Sequence, residues 1–105
     1  MKFLLVLKLK ERPPIPTEKF LEMVVKEWET ALQFRKEGKA DINYGLAGQK
    51  GAMAIFNAES GAELDADLMK LPLYGWLDIE IYPLMTAEEV LTRTKKFLEA
   101  VKARK

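Results

Sequence analysis

The strongest constraint on the fold lies near the amino terminus, where residues 2–9 are apolar at nearly every position. A short run of this kind, rich in leucine and valine, is typical of a β-strand that is covered on both faces. The prolines at 13, 14 and 16 cannot continue a strand, because proline fixes φ and restricts the residue before it. Any fold of this chain must therefore supply an apolar layer on each side of its first strand.

The middle of the chain predicts one long helix and a β-hairpin. Thr17 is a candidate N-cap for a helix that runs to Glu37, and Gly38 is a left-handed stop. Residues 41–47 alternate between apolar and polar side chains, which predicts a strand with one more polar face. A turn at residues 48–51 joins this strand to a second one at 52–58.

The remainder predicts a helix, a strand and a final helix. Ser60 can cap a helix that runs through Lys70, with Glu63 completing a capping box. A connector at 71–76 leads into an alternating strand at 77–84. Thr86 caps the last helix, whose early glutamates and late lysines match the helix dipole.

This order, β-α-β-β-α-β followed by a helix, predicts one α+β domain of the ferredoxin-like class over residues 1–105. Right-handed crossovers place both main helices on one face of a four-stranded antiparallel sheet. The other face is left bare, although Leu4 and Val6, or Leu5 and Leu7, must lie on it. We therefore expect self-association, most simply as a two-fold dimer that packs sheet against sheet in a dimeric α/β barrel.

The composition excludes several classes of function. The chain has no cysteine and no histidine, which removes thiolate nucleophiles, zinc knuckles, His-dependent triads and His-ligated haem. We expect no cofactor and no bound metal. Lysine and arginine number 17 against 16 acidic residues, so no field of one sign is available to bind nucleic acid or a membrane. The short apolar segments are typical neither of a signal peptide nor of a membrane span, and a cytoplasmic protein is expected.

Glu27 departs most clearly from the amphipathic pattern of the first helix. With Phe20 set at zero and a step of about 100° per residue, Glu27 falls at about 340°, inside the apolar arc. A carboxylate directed towards a sheet is costly unless it is paired, protonated or in a wet pocket. One hypothesis gives Glu27 a structural role, either snorkelling to solvent or bonded as an anchor to a lysine or a backbone amide. The other makes it a pocket carboxylate with a raised pKa, suited to general acid–base catalysis.

Other candidates are aromatic or acidic. Tyr74 and Trp76, in a connector that contains proline and glycine, are candidates to line a pocket mouth, although core packing is the simpler explanation. Tyr44 is a candidate to stabilise an enolate. Asp78 and Glu80 share a strand face, and Asn43 is expected on the polar face of another strand. Solvent exposure, or ion pairing at a dimer interface with a residue such as Lys8, is the simpler explanation for this group. If chelators did abolish activity, Asp78 and Glu80 would be the first suspects for a Mg²⁺ site.

Several segments resemble the muconolactone delta-isomerase family. These are Ala54-Ile-Phe-Asn-Ala58, Leu68-Met-Lys-Leu-Pro-Leu-Tyr-Gly-Trp-Leu-Asp-Ile-Glu-Ile81, the helix end Lys36-Glu37-Gly38 and the strand end Leu46-Ala47-Gly48. The resemblance implies a ferredoxin-like dimeric unit, often assembled into larger rings, and a cofactor-free proton shift that moves a lactone double bond into conjugation. It also implies that Glu27 matches a glutamate of the family's first helix with an acid–base role.

The same resemblance leaves a second function open. Family members tend to carry polar residues where this chain has Leu4 and Val6, and a basic residue where it has Gly45. Without those groups, the alternative to an isomerase is a non-catalytic oligomeric domain that binds a small apolar or carbonyl metabolite or only assembles. RNA binding is disfavoured, because the strand at 51–57 lacks the basic and aromatic pattern of RNA-binding sheets. A cofactor-free oxygenase on this fold also stays open.

Overall fold

The computed structural model describes residues 1–104 and has the predicted ferredoxin-like topology. Its elements are β1 (Lys2–Leu9), α1 (Thr17–Lys36), β2 (Ala40–Gly45), β3 (Gly51–Asn57), α2 (Gly61–Leu68), a 3-10 turn (Tyr74–Trp76), β4 (Leu77–Pro83) and α3 (Ala87–Ala103). The strands form an antiparallel sheet in the order β2-β3-β1-β4. The two halves of the chain thus interleave, and β1 lies between β3 and β4.

The two faces of β1 have different surroundings. Leu5 is completely buried, and Phe3 and Leu7 are nearly so, on the face that α1 and α2 cover. Leu4 and Val6 alternate with them and are only partly buried, on the face that no helix covers in the described residues. The prediction of one covered and one open apolar face is therefore confirmed at the level of the single chain.

The core fills the space between the covered face and the two helices. Phe34 of α1 meets Phe56 of β3 edge to face, with ring centroids 5.2 Å apart and planes inclined at 72°. Leu64 and Leu68 of α2 are almost fully buried against the same cluster. Apolar burial on one side of the sheet therefore holds both helices in place.

The ends of the helices agree with the sequence, with two corrections. Thr17 is not the N-cap of α1: Pro16 is, and the Thr17 hydroxyl instead accepts a hydrogen bond from Arg12 Nη2 at 2.6 Å. Ser60 caps α2 as predicted, but the Glu63 carboxylate accepts from the Glu59 N–H rather than from Ser60. Gly38, at φ 78°, follows α1 in the left-handed conformation that favours glycine.

The last helix stands apart from the body of the molecule. Thr86 and Glu89 form the predicted capping box, yet no residue of α3 is buried. The molecule is accordingly elongated, measuring 67 × 27 × 24 Å. Of the helices in residues 1–104, none combines the length and the apolar character needed to cross a bilayer.

We expect Gly51→Ala to destabilise the fold, because a Cβ at this position would lie 2.5 Å from the Leu7 carbonyl oxygen. Overpacking against backbone typically costs about 1–3 kcal/mol of the free energy of unfolding. Urea denaturation measures the change. The control is Gly61→Ala, where a Cβ meets no atom within 4 Å and helix propensity favours alanine. Equal stability of the two variants would contradict the close approach of β3 to β1.

Candidate functional site

A cavity of about 430 Å³ lies between α1 and the covered face of the sheet. Leu5, Leu7 and Ala54 from the strands form one side of it, and Phe20 and Val24 from α1 form the other. This volume is in the range of small-molecule sites, which are typically apolar with a few polar groups. The cavity can therefore enclose a small, largely apolar molecule.

Glu27 places a carboxylate in this apolar wall. Its Oε1 accepts a hydrogen bond from the Leu73 backbone N–H at 2.9 Å. Burial raises the pKa of Glu27 above its ordinary value, and the hydrogen bond from Leu73 opposes this effect only in part. Among residues 1–104, no other group donates a hydrogen bond to this carboxylate. The second oxygen thus accepts no hydrogen bond from residues 1–104.

The geometry combines elements of both hypotheses for Glu27. The bond to Leu73 ties α1 to the connector before β4, as the anchor hypothesis requires. The position in the cavity wall and the raised pKa are what the pocket hypothesis requires. Leu73 is itself only 5% exposed. A leucine at position 27 would therefore leave the buried Leu73 N–H without an acceptor, as well as remove a buried carboxylate. A glutamine keeps the acceptor and is therefore the cleaner substitution.

The other polar side chains of the wall come from β2 and the β2–β3 turn. Asn43 lies on the cavity side, where its Nδ2 donates to the Ala31 carbonyl at 2.8 Å and its Oδ1 accepts from Arg35 at 3.3 Å. Gln49 and Lys50 also line the cavity and are exposed, which places them at its mouth. The sequence analysis did not identify Gln49 and Lys50 as site residues, because a hairpin turn carries no signal for what it faces.

The position of Asn43 corrects one expectation. Asp78 and Glu80 pair with Lys8 and Val6 of β1 and lie on the open face, whereas Asn43 faces α1. Asn43 thus lies on the side of β2 that faces α1, where the Ala31 carbonyl accepts a hydrogen bond from its amide. The three residues form no cluster, and Asp78 contacts Lys10 at 3.9 Å instead.

The three predicted aromatics are outside the cavity that residues 1–104 form. Tyr44 lies on the open face and is 62% exposed. The Tyr74 hydroxyl donates to Asp65 at 3.2 Å, and Trp76 is half-buried with its carbonyl accepting from the Lys10 N–H at 2.9 Å. A binding role for any of them requires a contribution from outside this single chain.

Trp28 also lines the cavity, together with Phe20, Phe34 and Phe56. Its ring covers Gly45: a Cβ built on this glycine would lie 3.5 Å from Cζ2 and Cη2 of the indole. The small residue on β2 and the large one on α1 thus fit each other. The indole occupies the space in which a longer side chain at position 45 would enter the cavity.

Asp67 is a buried carboxylate that the sequence did not single out. It is 4% exposed and accepts from Lys39 Nζ at 2.9 Å and from Lys70 Nζ at 3.4 Å. Burial raises the pKa of Asp67, but the hydrogen bonds and charges of the two lysines outweigh it, and the pKa lies below its usual value. Asp67 does not line the cavity. It joins α2 to the start of β2.

Comparisons with known proteins agree on one family. Residues 1–89 match the family model described as muconolactone delta-isomerase. A muconolactone delta-isomerase of Rhodococcus opacus is 35% identical over 63 residues, which is 60% of this chain and 68% of that protein. Muconolactone delta-isomerase 1 of Acinetobacter lwoffii is 34% identical over 70 residues, which is 67% of this chain and 73% of that protein.

Solved structures give the same fold. A crystal structure of muconolactone isomerase superposes with a TM-score of 0.73 and 27% identity, covering 82% of this chain and 90% of that one. A 5-chloro-2-hydroxyhydroquinone dehydrochlorinase from Burkholderia phenoliruptrix superposes with a TM-score of 0.59 at 17% identity, covering 85% and 98% of the two chains. At this lower identity the second match concerns the fold alone.

The raised pKa of Glu27 predicts how stability depends on pH. Between the ordinary glutamate pKa of about 4.3 and its higher value in the folded chain, the native state binds more protons than the unfolded state. Stability therefore increases as the pH falls through this window, and is lost as it rises. We expect the wild type to gain stability relative to Glu27→Gln on acidification, as measured by urea denaturation at each pH. A difference that does not change with pH would contradict the burial of the charge.

Proposed function

The chain belongs to the muconolactone delta-isomerase family, and we propose that it catalyses a proton shift in a small lactone or other carbonyl metabolite, with Glu27 as the acid–base group. The observation that carries this proposal is the Glu27 carboxylate in an apolar cavity wall, with a raised pKa and one oxygen free of donors from residues 1–104. A carboxyl group with a pKa nearer to neutrality exchanges protons more effectively in both directions.

The reaction needs one group that first accepts and then donates a proton. The Glu27 carboxylate removes a proton from the carbon α or γ to the carbonyl, and the electron pair moves into a conjugated dienolate. The Glu27 carboxylic acid then returns a proton to the other end of the conjugated system. The double bond has moved, while atoms and electrons balance within one molecule, so this chemistry requires no redox cofactor.

The dienolate oxygen needs a donor at the same time. Asn43 is a candidate by placement: its Nδ2 donates one hydrogen to the carbonyl of Ala31, one helical turn after Glu27 on α1, and the amide carries a second hydrogen. Gln49 and Lys50 at the mouth suit the polar end of a longer substrate. Tyr44 is not retained in this role, because it lies on the open face.

A second candidate function is binding without turnover. The observation that favours it is the pair Trp28 and Gly45, which leaves position 45 without the basic group that the family resemblance implies. A cavity without a cation at that wall suits a neutral ligand better than a carboxylate. A neutral butenolide is therefore the appropriate probe for both candidates.

We expect Glu27→Gln to reduce turnover of α-angelica lactone, a neutral β,γ-unsaturated butenolide, by about 10²- to 10⁴-fold, the usual contribution of general acid–base catalysis. The rise in ultraviolet absorbance of the conjugated product measures the rate. Glu29→Gln, on the exposed side of the same helix, is the matched control and retains activity. Binding without turnover by the wild type supports the second candidate, whereas full activity of Glu27→Gln contradicts the proposed role.

Self-association through the open face is the second part of the proposal. Its centre is apolar, with Leu4 and Val6 of β1 beside Met53 and Ile55 of β3. A second copy packed sheet against sheet gives these side chains the second layer that β1 requires.

We expect Val6→Asp to dissociate this assembly, because it buries an unpaired charge between two sheets. Size-exclusion chromatography with light scattering measures the change in mass. Lys26→Glu, on the exposed side of α1, is the control and leaves the mass unchanged. A wild-type chain that is monomeric at micromolar concentration contradicts the sheet-to-sheet interface.

A further inference from the structure

The cavity beside Glu27 is larger than a simple lactone ring needs. Its volume is about 430 Å³. A molecule of liquid water occupies about 30 Å³, so this space corresponds to about fourteen water-sized groups. α-Angelica lactone, with about seven non-hydrogen atoms, would leave roughly half of the cavity unfilled. Unfilled apolar space forfeits van der Waals contacts, so a ligand that fits this cavity carries a further group of similar size.

The inner end of the cavity has small side chains in front of a pair of phenyl rings. Ala54 of β3 pairs with Asn43 of β2, and the Asn43 amide donates to the Ala31 carbonyl of α1. Ala31 and Ala54 therefore lie at the same level on opposite sides of the cavity. Phe34, about one turn further along α1, meets Phe56, further along β3. These two rings, 3% and 5% exposed, close the inner end.

Glu27 lies next to this inner end. It precedes Ala31 by one turn of α1, which places both side chains on the same face of the helix. The opposite end of the cavity is its mouth, at Gln49 and Lys50, just before β3 begins at Gly51. A lactone ring held at Glu27 thus has apolar space on its inner side and polar side chains on its outer side.

The inner end has no partner for a charged group. Lys50 is the single cation of the cavity lining that residues 1–104 supply, and it lies at the mouth. Arg35 is exposed and does not line the cavity, although its guanidinium donates to Asn43 Oδ1. A carboxylate in the inner end would be buried without a partner and close to the Glu27 carboxylate, which is unfavourable.

We propose that the ligand is an uncharged γ-lactone with an apolar substituent of about six carbons, which fills the inner end between Ala31 and Ala54 while the ring lies at Glu27. The inference rests on the proposed function for the reacting ring, whereas the size and neutrality of the substituent follow from the cavity. The substrate is then the β,γ-unsaturated butenolide that carries this substituent on its γ-carbon. The substituent contributes binding and takes no part in the proton shift.

Two saturated lactones test the size of the ligand without any reaction. γ-Valerolactone and γ-decalactone have the same ring, differ by five methylenes, and contain no double bond that could move. Burial of one methylene is worth about fourfold in affinity, so we expect γ-decalactone to bind at least about tenfold more tightly. A γ-lactone whose six-carbon chain ends in a carboxylate should bind at least about tenfold more weakly than γ-decalactone. Isothermal titration calorimetry measures the three affinities.

Three variants test where the substituent lies. Ala31→Leu fills the inner end from the helix, and Ala54→Val narrows it from the sheet. Each should abolish the preference for γ-decalactone and change the affinity for γ-valerolactone by less than about twofold. Gln33→Leu adds the larger side chain on the exposed side of α1 and is the matched control, which keeps the preference. Circular dichroism checks that every variant is folded.

Three results would overturn the proposal. Equal affinity of the wild type for the two saturated lactones would show that the inner end takes no substituent. Tighter binding of the acid-terminated lactone would place the chain at Lys50 instead. A preference that survives in both Ala31→Leu and Ala54→Val would place the substituent outside the inner end.

Turnover separates this inference from the proposed function. We expect the γ-hexyl β,γ-butenolide to be isomerised with a kcat/KM at least about tenfold above that of α-angelica lactone, mainly through a lower KM. If γ-decalactone binds preferentially and neither butenolide is converted, the proposed proton shift fails and the ligand class stands. If both butenolides are converted with equal kcat/KM, the ligand class fails and the proton shift stands.

Discussion

The central position of β1 organises the molecule. It bonds to β3 on one side and β4 on the other, so every residue of it faces either the helices or the open side. Leu5 on one face is completely buried, whereas Val6 on the other is not. The covered side is packed within the chain, whereas the open side leaves apolar side chains only partly buried. The fold and the proposed self-association therefore both depend on the same eight-residue strand.

Glu27 combines an unfavourable interaction and a favourable one in the cavity wall. A carboxylate in an apolar wall is unfavourable, yet it also accepts from a buried backbone N–H that needs a partner. The same bond fixes the connector before β4 against α1. The loss of the charge and the loss of the hydrogen-bond acceptor can thus be separated, because a glutamine at position 27 removes the first and keeps the second. Asp67 shows the opposite effect, because hydrogen bonds and charges from its two lysine partners lower its pKa in spite of burial.

Much of the fold could be predicted from the sequence, because alternation, caps and glycine stops are local signals. Glu27 was also found by periodicity, since one polar residue inside an apolar arc is visible without coordinates. Asn43 was placed wrongly: polarity suggested that Asn43 faces solvent, but the Ala31 carbonyl makes the covered side favourable for it. Such a partner is 12 residues away along the chain. A contact of this kind is tertiary, and no pattern within the strand encodes it.

The fit of Trp28 against Gly45 has a consequence for how the cavity can change in evolution. An alanine at position 45 reaches ordinary contact with the indole, but any longer side chain needs the ring to move. We therefore expect a cationic residue on β2 and a tryptophan on α1 to compete for this space, and the two positions to covary among relatives. Chains with a small residue at 45 would carry a large aromatic at 28, and chains with a basic residue at 45 a small one. Ligand charge selectivity would then switch by paired substitutions rather than by gradual change.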